Sequence, residues 1–211
     1  MTVLTKSMSK PGPRVMTKLN RVLRYMKGTV SIGIIYREDA EDGDILTAYV
    51  DSYHAGDQDK GYSTTGILLY FAGGPVDLRS TKQAVVAIST VETEYVAMSK
   101  ACVMVLHSRN LLESMIAEQE QATVMFDDNP GAVSLSERAK ITPRTKLVDV
   151  KFHNVRSFVA DGVVVVIYLK TKLQRADILT KKKLGSCEVS QEPPAVTMSV
   201  GTSPFQTQTY I

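Results

Sequence analysis

The segment AISTVETEYVAMSKA, residues 87–101, constrains the fold most, because it predicts where a long helix begins and which side of it is buried. Ser89 followed three residues later by Glu92 has the form of a capping box, in which each side chain binds a backbone N–H at the start of a helix. Helical periodicity then extends from about Thr90 to Ala117. It produces one apolar stripe, formed by Val91, Tyr95, Met98, Ala101, Cys102 and Val105.

An acidic residue, Glu94, falls inside this apolar stripe, whereas Glu92 lies well off it. Burying a carboxylate is costly unless a positive group meets it, and a metal-bound or strongly perturbed carboxylate is the usual solution. The alternative is a position at the rim of the core, from which the Glu94 carboxylate reaches water. The helix alone leaves both interpretations open.

Strand and helix patterns alternate along the rest of the chain. The helical patterns, besides that of residues 90–117, are residues 18–27, 129–137, 145–162 and 172–183. The strand patterns are residues 31–38, 45–53, 122–128 and 163–169, with a hairpin over 62–83 that turns at Gly73-Gly74-Pro75. The apolar run 163–169 is typical of a strand buried on both faces. From residue 45 onward, this order predicts an α/β domain with a mixed five-stranded sheet, in which three antiparallel strands precede alternating helices and strands and helices cover the faces.

Length and charge predict one folded domain flanked by two different ends. Residues 1–44 form a predicted N-terminal connection, whose first 37 residues contain eight Lys or Arg and no Asp or Glu. Residues 45–185 form the predicted domain, and residues 186–211 have the polar, proline-containing composition of a disordered tail. Basic stretches of this kind suit phosphate backbones.

The cellular setting follows from the cysteines and from hydropathy. Cys102 and Cys187 are too few for a disulfide scaffold and are typical of a reducing compartment. No apolar run approaches the length of a membrane span, and the polar N-terminus lacks a secretory core. We therefore expect an intracellular protein, cytoplasmic or nuclear, with no membrane partner.

Four acidic residues occur where such a fold can bring them together: Asp51, Glu94, Asp128 and Asp177. Taken singly, Asp51 could be a turn residue, Asp128 a helix N-cap and Asp177 a surface residue. As a set they have a chemical rationale, because two Mg²⁺ ions about 4 Å apart need several oxygen ligands on rigid elements to clamp a phosphodiester. Repulsion among four close carboxylates would otherwise be severe.

Five collinear segments resemble the ribonuclease H domain of copia-type retrotransposon Pol polyproteins over roughly residues 15–183. They are RVLRYMKGT, YVDSYHAGDQDKGYSTTGILLYFAGGPVDLRSTKQAVVAISTVETEYVAMSKA, MFDDNPGAVSL, RTKLVDVKFHNVR and ADILTK. The resemblance implies a ribonuclease H-like fold and hydrolysis of the RNA strand of an RNA–DNA hybrid. It also implies two Mg²⁺ ions, or Mn²⁺ in their place, and a separate reverse transcriptase domain as a partner. The metal-binding and catalytic positions fall on Asp51, Glu94, Asp128 and Asp177.

Basic residues flank the predicted site and would contact the nucleic acid: Lys146, Lys151 and Arg175. Some positions depart from the family pattern. Tyr53-His54 replaces Asp-Trp or Asp-Tyr, and Leu78 and Leu106 stand at or near family tryptophans in a chain that has no Trp. These departures favour two alternatives: a decayed or repurposed copy that binds nucleic acid without cutting it, or a transcribed fragment with no stable role.

The domain boundary leads to a first testable prediction. Deleting residues 186–211 should leave the melting temperature of the protein unchanged, because this segment offers too few periodic apolar residues to add to a core. Thermal unfolding followed by circular dichroism compares the full-length and shortened chains. A fall of many degrees would place the boundary of the domain beyond residue 185.

Overall fold

The computed structural model describes residues 4, 11–36, 45–56, 61–84, 86–115, 117–137 and 149–180, with side chains from residue 154 onward in the last range. The helices are α1 (Pro13–Gly28), α2 (Thr90–Ser114), α3 (Pro130–Glu137), α4 (Asp149–Ala160) and α5 (Asp177–Thr180). The strands are β1 (Thr47–Tyr53), β2 (Thr64–Phe71), β3 (Gly74–Lys82), β4 (Thr123–Asp127) and β5 (Val164–Tyr168). A 3₁₀ helix spans Thr171–Leu173.

The five strands form one mixed sheet in the order β3-β2-β1-β4-β5. β1, β2 and β3 are antiparallel neighbours, whereas β4 pairs in parallel with β1 on one side and with β5 on the other. The ribonuclease H-like arrangement predicted from the sequence is confirmed: three antiparallel strands, followed by helices and strands in alternation. The central strand β1 joins the antiparallel part of the sheet to the parallel part.

Helix α2 begins where the capping box predicts. The Ser89 hydroxyl accepts a hydrogen bond from the Glu92 N–H at 3.2 Å, and the Glu92 carboxylate accepts one from the Ile88 N–H at 2.8 Å. Two backbone donors at the start of the helix are thus satisfied, which stabilises this end by roughly 1 kcal/mol. Glu92 therefore has a structural role, and the register of the helix is fixed from its first turn.

The sheet has an apolar core on each face. On one face α2 and α4 pack together over the strands, with Tyr95, Met98 and Met125 among the fully buried side chains. On the other face the chain after β5 covers Tyr49, Leu68, Val124 and Phe126 with Leu169 and Ala176. The first face holds the larger cluster, and the second is closed by a short, irregular segment.

Three local predictions are wrong in the described residues. Residues 32–36 are not in a strand, because β-branched residues favour extended backbone but do not supply a pairing partner. The predicted helix 172–183 is instead a 3₁₀ turn followed by the four-residue α5; residues 181–183 lie outside the described part. Strand β5 is an edge strand, so only Val164 and Val166 are fully buried, not both of its faces.

The path of α5 across the sheet depends on Gly66 in β2. A Cβ atom built on Gly66 would lie 2.7 Å from the Thr180 methyl carbon and 3.0 Å from both the Ala176 carbonyl oxygen and Leu179 Cβ. Because two of these contacts involve backbone or a first side-chain atom, a side chain at this position would push α5 away from the sheet.

We predict that Gly66→Ala destabilises the domain by about 1–3 kcal/mol, which is typical of overpacking a close contact. Chemical denaturation measures the free energy of unfolding. The matched control is Gly28→Ala, because nothing lies within 4 Å of a Cβ at Gly28. Equal stability of the two variants would show that α5 does not need the glycine.

Candidate metal centre

Strand β1 places Asp51 in the sheet, near the point where its pairing with β4 has ended. Its cross-strand neighbour on β2 is Gly66, and its side chain is only 3% exposed. The hydroxyl of Thr180 in α5 donates a hydrogen bond to the Asp51 carboxylate. Asp51 is therefore a buried strand residue and not the turn residue that its neighbourhood in the sequence also allowed.

Helix α2 places Glu94 against the sheet, as its position in the apolar stripe predicts. The residue is 5% exposed, so the alternative of a rim position open to water is wrong. The Glu94 Oε2 atom is buried and has no hydrogen-bond partner among the described residues. A neighbouring hydrogen bond, from the Ser52 hydroxyl to the Thr93 hydroxyl at 2.9 Å, ties β1 to the turn of α2 that carries Glu94.

The end of β4 carries two consecutive acidic residues with different surroundings. Asp127, the last strand residue, is 0% exposed, whereas Asp128 is half-buried. Asn129, and not Asp128, caps α3: its side-chain oxygen accepts hydrogen bonds from the N–H groups of Gly131 at 3.0 Å and Ala132 at 3.2 Å. The Asp128 carboxylate is thus available for another role.

Asp51, Glu94 and Asp128 converge. Each offers one carboxylate oxygen, and these three oxygens lie within 4.8 Å of one another. They come from a strand, a helix and the residue just after a second strand, so three separate elements define one point. The sequence-based expectation that these carboxylates meet at the end of the sheet agrees with this geometry.

The electrostatic strain is largest at Glu94. Burial, and then the neighbouring charges of Asp127, Asp51 and Asp128, raise the pKa of Glu94 to about 10, although hydrogen bonding with Ser52 acts in the opposite direction. Burial also raises the pKa of Asp127 to about 8, against the effect of its hydrogen bond from the Asn129 N–H. Without a compensating positive charge, both carboxyl groups therefore keep their protons to a higher pH than a solvent-exposed acid does.

A divalent cation fits these residues chemically. Carboxylate oxygens are the ligands that Mg²⁺ and Mn²⁺ prefer, and the three oxygens are close enough to share one ion. The buried, unpartnered Glu94 Oε2 atom is the kind of acceptor that a cation satisfies. The acidic cluster can thus hold a metal ion, which would also offset the repulsion among its members.

Asp177, the fourth predicted site residue, lies at the start of α5 and is not a member of this three-residue group in the described part of the chain. Its segment is nevertheless attached to the site. The Thr180 hydroxyl that binds the Asp51 carboxylate also lies 3.2 Å from the Asp177 carbonyl oxygen. Asp177 is half-buried, and a role in metal binding remains a prediction for it.

Of the predicted nucleic-acid contacts, only Arg175 has a described side chain. Its guanidinium carbon lies over two aromatic rings, 4.7 Å from the ring centre of Tyr70 and 5.2 Å from that of Tyr49. This stacking fixes the position of the positive charge on the sheet face opposite α2. Lys146 lies outside the described residues, and for Lys151 only the backbone is described.

Sequence reasoning did not single out Asp127. Its Oδ1 atom accepts a hydrogen bond from the Asn129 N–H at 2.8 Å, while its Oδ2 atom is buried without a partner among the described residues. The available signal was its place in β4: alternation puts Asp127 on the same face as Met125, which packs under α2. Asp127 is therefore close enough for its charge to raise the pKa of Glu94, and it adds a further buried carboxylate to the site.

The chain is similar to known proteins over most of its length. The chain is 31% identical over 179 residues to the retrovirus-related Pol polyprotein from transposon TNT 1-94 of Nicotiana tabacum, a match that covers 85% of this chain. It is also 31% identical over 180 residues to the Pol polyprotein from transposon RE1 of Arabidopsis thaliana, covering 84% of this chain. The chain is a homologue of copia-type Pol polyproteins. It spans 13% and 12% of the length of these two relatives.

Family models and solved structures give two further results. No family model matches the chain. Among solved structures, LC11-RNase H1 in complex with an RNA/DNA hybrid is similar, with a TM-score of 0.47 and 16% identity, covering 64% of this chain and 93% of that one. In the described part of the Pol homologue, no helix is both long and apolar enough to cross a membrane.

The raised pKa of Glu94 predicts how stability depends on pH in the absence of metal. An acid whose pKa is higher in the folded than in the unfolded state makes the folded protein lose stability as pH rises, here between about 4.5 and 10. In the presence of a chelator, Glu94→Gln should therefore melt several degrees above the wild type at pH 8, with a smaller difference at pH 5.

Thermal unfolding at the two pH values measures this difference. Glu113→Gln serves as the control, because Glu113 is exposed on the same helix. Some pH dependence should persist in the Glu94 variant, since the pKa of Asp127 is also raised. An unchanged pH profile in Glu94→Gln would mean that this carboxylate is not the strained group.

Proposed function

We propose that this chain is a metal-dependent ribonuclease H domain that hydrolyses the RNA strand of RNA–DNA hybrids within, or derived from, a retrotransposon Pol polyprotein. Asp51, Glu94 and Asp128 would hold Mg²⁺, with Mn²⁺ as a substitute, and Asp177 would complete the site. The observation that carries the proposal is the convergence of three carboxylates from three elements at one point. Homology to Pol polyproteins supports it.

The chain's own residues would prepare the reaction by position and charge. Asp51 is held by the Thr180 hydroxyl, and Glu94 is held by a helix that is packed on the sheet and capped at its first turn. Asp128 is the least buried of the three, so it would be the most accessible to a substrate. When bound, two Mg²⁺ ions would activate the attacking water and stabilise the leaving oxygen of the phosphodiester.

The substrate's phosphates would be bound by positive side chains around this point. Arg175 already has its guanidinium held over Tyr49 and Tyr70, so little conformational freedom would be lost when it contacts a phosphate. Lys146 and Lys151 are the other proposed contacts. An RNA–DNA hybrid is the proposed partner, and a similar solved structure is a complex of a ribonuclease H with an RNA/DNA hybrid.

The decisive test replaces Asp128 by Asn. This change keeps the shape of the side chain and one oxygen but removes the charge that would bind metal. Cleavage of a labelled RNA–DNA hybrid in Mg²⁺ should fall about 100-fold or more, which corresponds to about 2.7 kcal/mol of barrier. Binding of the hybrid should persist or tighten, because one negative charge fewer faces the phosphates.

Asp161→Asn is the matched control, because Asp161 is exposed just beyond the end of α4 and should tolerate the change with full activity. The opposite result would be a wild-type protein that cleaves nothing in Mg²⁺ or Mn²⁺ yet binds the hybrid as well as Asp128→Asn does. That outcome would replace the nuclease proposal with a ribonuclease H fold that binds nucleic acid without cutting it.

A further inference from the structure

The acidic site lies at a fork between two parallel strands. β1 and β4 pair only from Thr47 with Val124 to Tyr49 with Phe126. Beyond this point both strands continue, β1 to Tyr53 and β4 to Asp127, but they no longer bind each other. Each branch carries an acidic residue of the site two positions after the last pair, Asp51 on β1 and Asp128 after β4. The width of the fork thus sets the distance between them.

The side chain of Gln174 bridges the two branches of the fork. Gln174, 4% exposed, donates hydrogen bonds from its amide nitrogen to the Val50 carbonyl at 2.9 Å and to the Phe126 carbonyl at 3.3 Å. Its amide oxygen accepts from the Ala176 N–H at 3.2 Å. These partners fix the orientation of the amide, because two carbonyls need the NH₂ group and an N–H needs the oxygen.

We propose that Gln174 is a positioning residue that sets the separation of Asp51 and Asp128. Its amide nitrogen binds the carbonyl of Val50, the residue directly before Asp51, and that of Phe126, two residues before Asp128. Since one nitrogen binds both carbonyls, the two branches cannot move apart without breaking a buried hydrogen bond. Gln174 carries no charge, and its amide binds three backbone groups, so it acts on the site through the backbone.

The backbone next to Glu94, the third carboxylate, is also held by a buried glutamine. Gln83, 1% exposed, donates from its amide nitrogen to the Thr93 carbonyl, directly before Glu94, and to the Thr65 hydroxyl on β2, each at 3.0 Å. A buried glutamine amide therefore holds the backbone just ahead of Glu94 as well. This repetition favours a role in placing the carboxylates over a role in packing alone, which an apolar side chain of equal size would serve.

The effect on metal binding rests on the proposed function, so the test measures binding apart from cleavage. Mn²⁺ is titrated calorimetrically into the full-length wild type and into Gln174→Met, which keeps the size of the side chain but removes the amide. Groups that orient metal ligands typically contribute 10- to 100-fold in affinity. We therefore expect the Kd of Gln174→Met for Mn²⁺ to rise about 10-fold or more.

Gln119→Met is the matched control. The Gln119 side-chain oxygen accepts from the Leu46 N–H at 2.7 Å. This variant also loses a hydrogen bond from a side chain to the backbone, but at the residue before β1, at the end of the strand away from the fork. Its stability should fall while its affinity for Mn²⁺ stays at the wild-type value. If Gln174→Met does not fold, Gln174→Asn replaces it, since the shorter amide cannot span both carbonyls.

Wild-type affinity for Mn²⁺ in the Gln174 variant would overturn the proposal, and so would an equal loss in Gln119→Met. A wild type that binds no Mn²⁺ would instead count against the proposed function. Crystal structures of metal-free wild type and variant then decide the positioning role by themselves. A wider separation of Asp51 and Asp128 in the variant supports it, and an unchanged separation refutes it.

Discussion

The geometry of the site depends on a scaffold that holds several carboxyl groups close together where little water reaches them. Glu94, Asp51 and Asp127 are all buried, and the charge of Asp51 raises the free energy of the ionised forms of Glu94 and Asp127. Their positions are set by bonds that mostly avoid the charged atoms: the strand ladders, the cap of α2 and the amide of Gln174. The scaffold thus opposes the repulsion without neutralising it. A divalent cation would neutralise it, as the proposed function requires.

Burial differs systematically across the site. Asp127 lies deepest, Glu94 and Asp51 are nearly covered, and Asp128 is half-buried. A phosphodiester approaching from solvent would therefore meet Asp128 first, whereas the raised pKa values belong to the acids behind it. Under the proposed function, the inner acids would mainly tune how tightly a cation is held, and Asp128 would be shared between the cation and the substrate.

Much of this arrangement follows from the sequence, for identifiable reasons. Helical periodicity and the capping box place Glu94 correctly, because both signals are local and α2 is long. The segment after β5 was not predictable in the same way. Its path depends on the side chain of Gln174 reaching the sheet and on the absence of a side chain at Gly66, both of which are long-range contacts. Strand alternation predicts that the side chain of Asp127 points toward the core. The adjacent acidic residue, Asp128, was the one assigned to the site.

The hydrogen bond between Thr180 and Asp51 joins residues 129 positions apart in the chain. During synthesis, Asp51, Glu94 and Asp128 all leave the ribosome well before the segment that closes the second face of the sheet. Contacts of such long sequence separation form late, because the entropy of the intervening chain must be overcome first. The acidic site would thus reach its final geometry only after residue 180 has emerged. A nascent chain would carry its acidic residues in an unassembled state, and a premature stop before Gln174 would remove the amide that binds both strands.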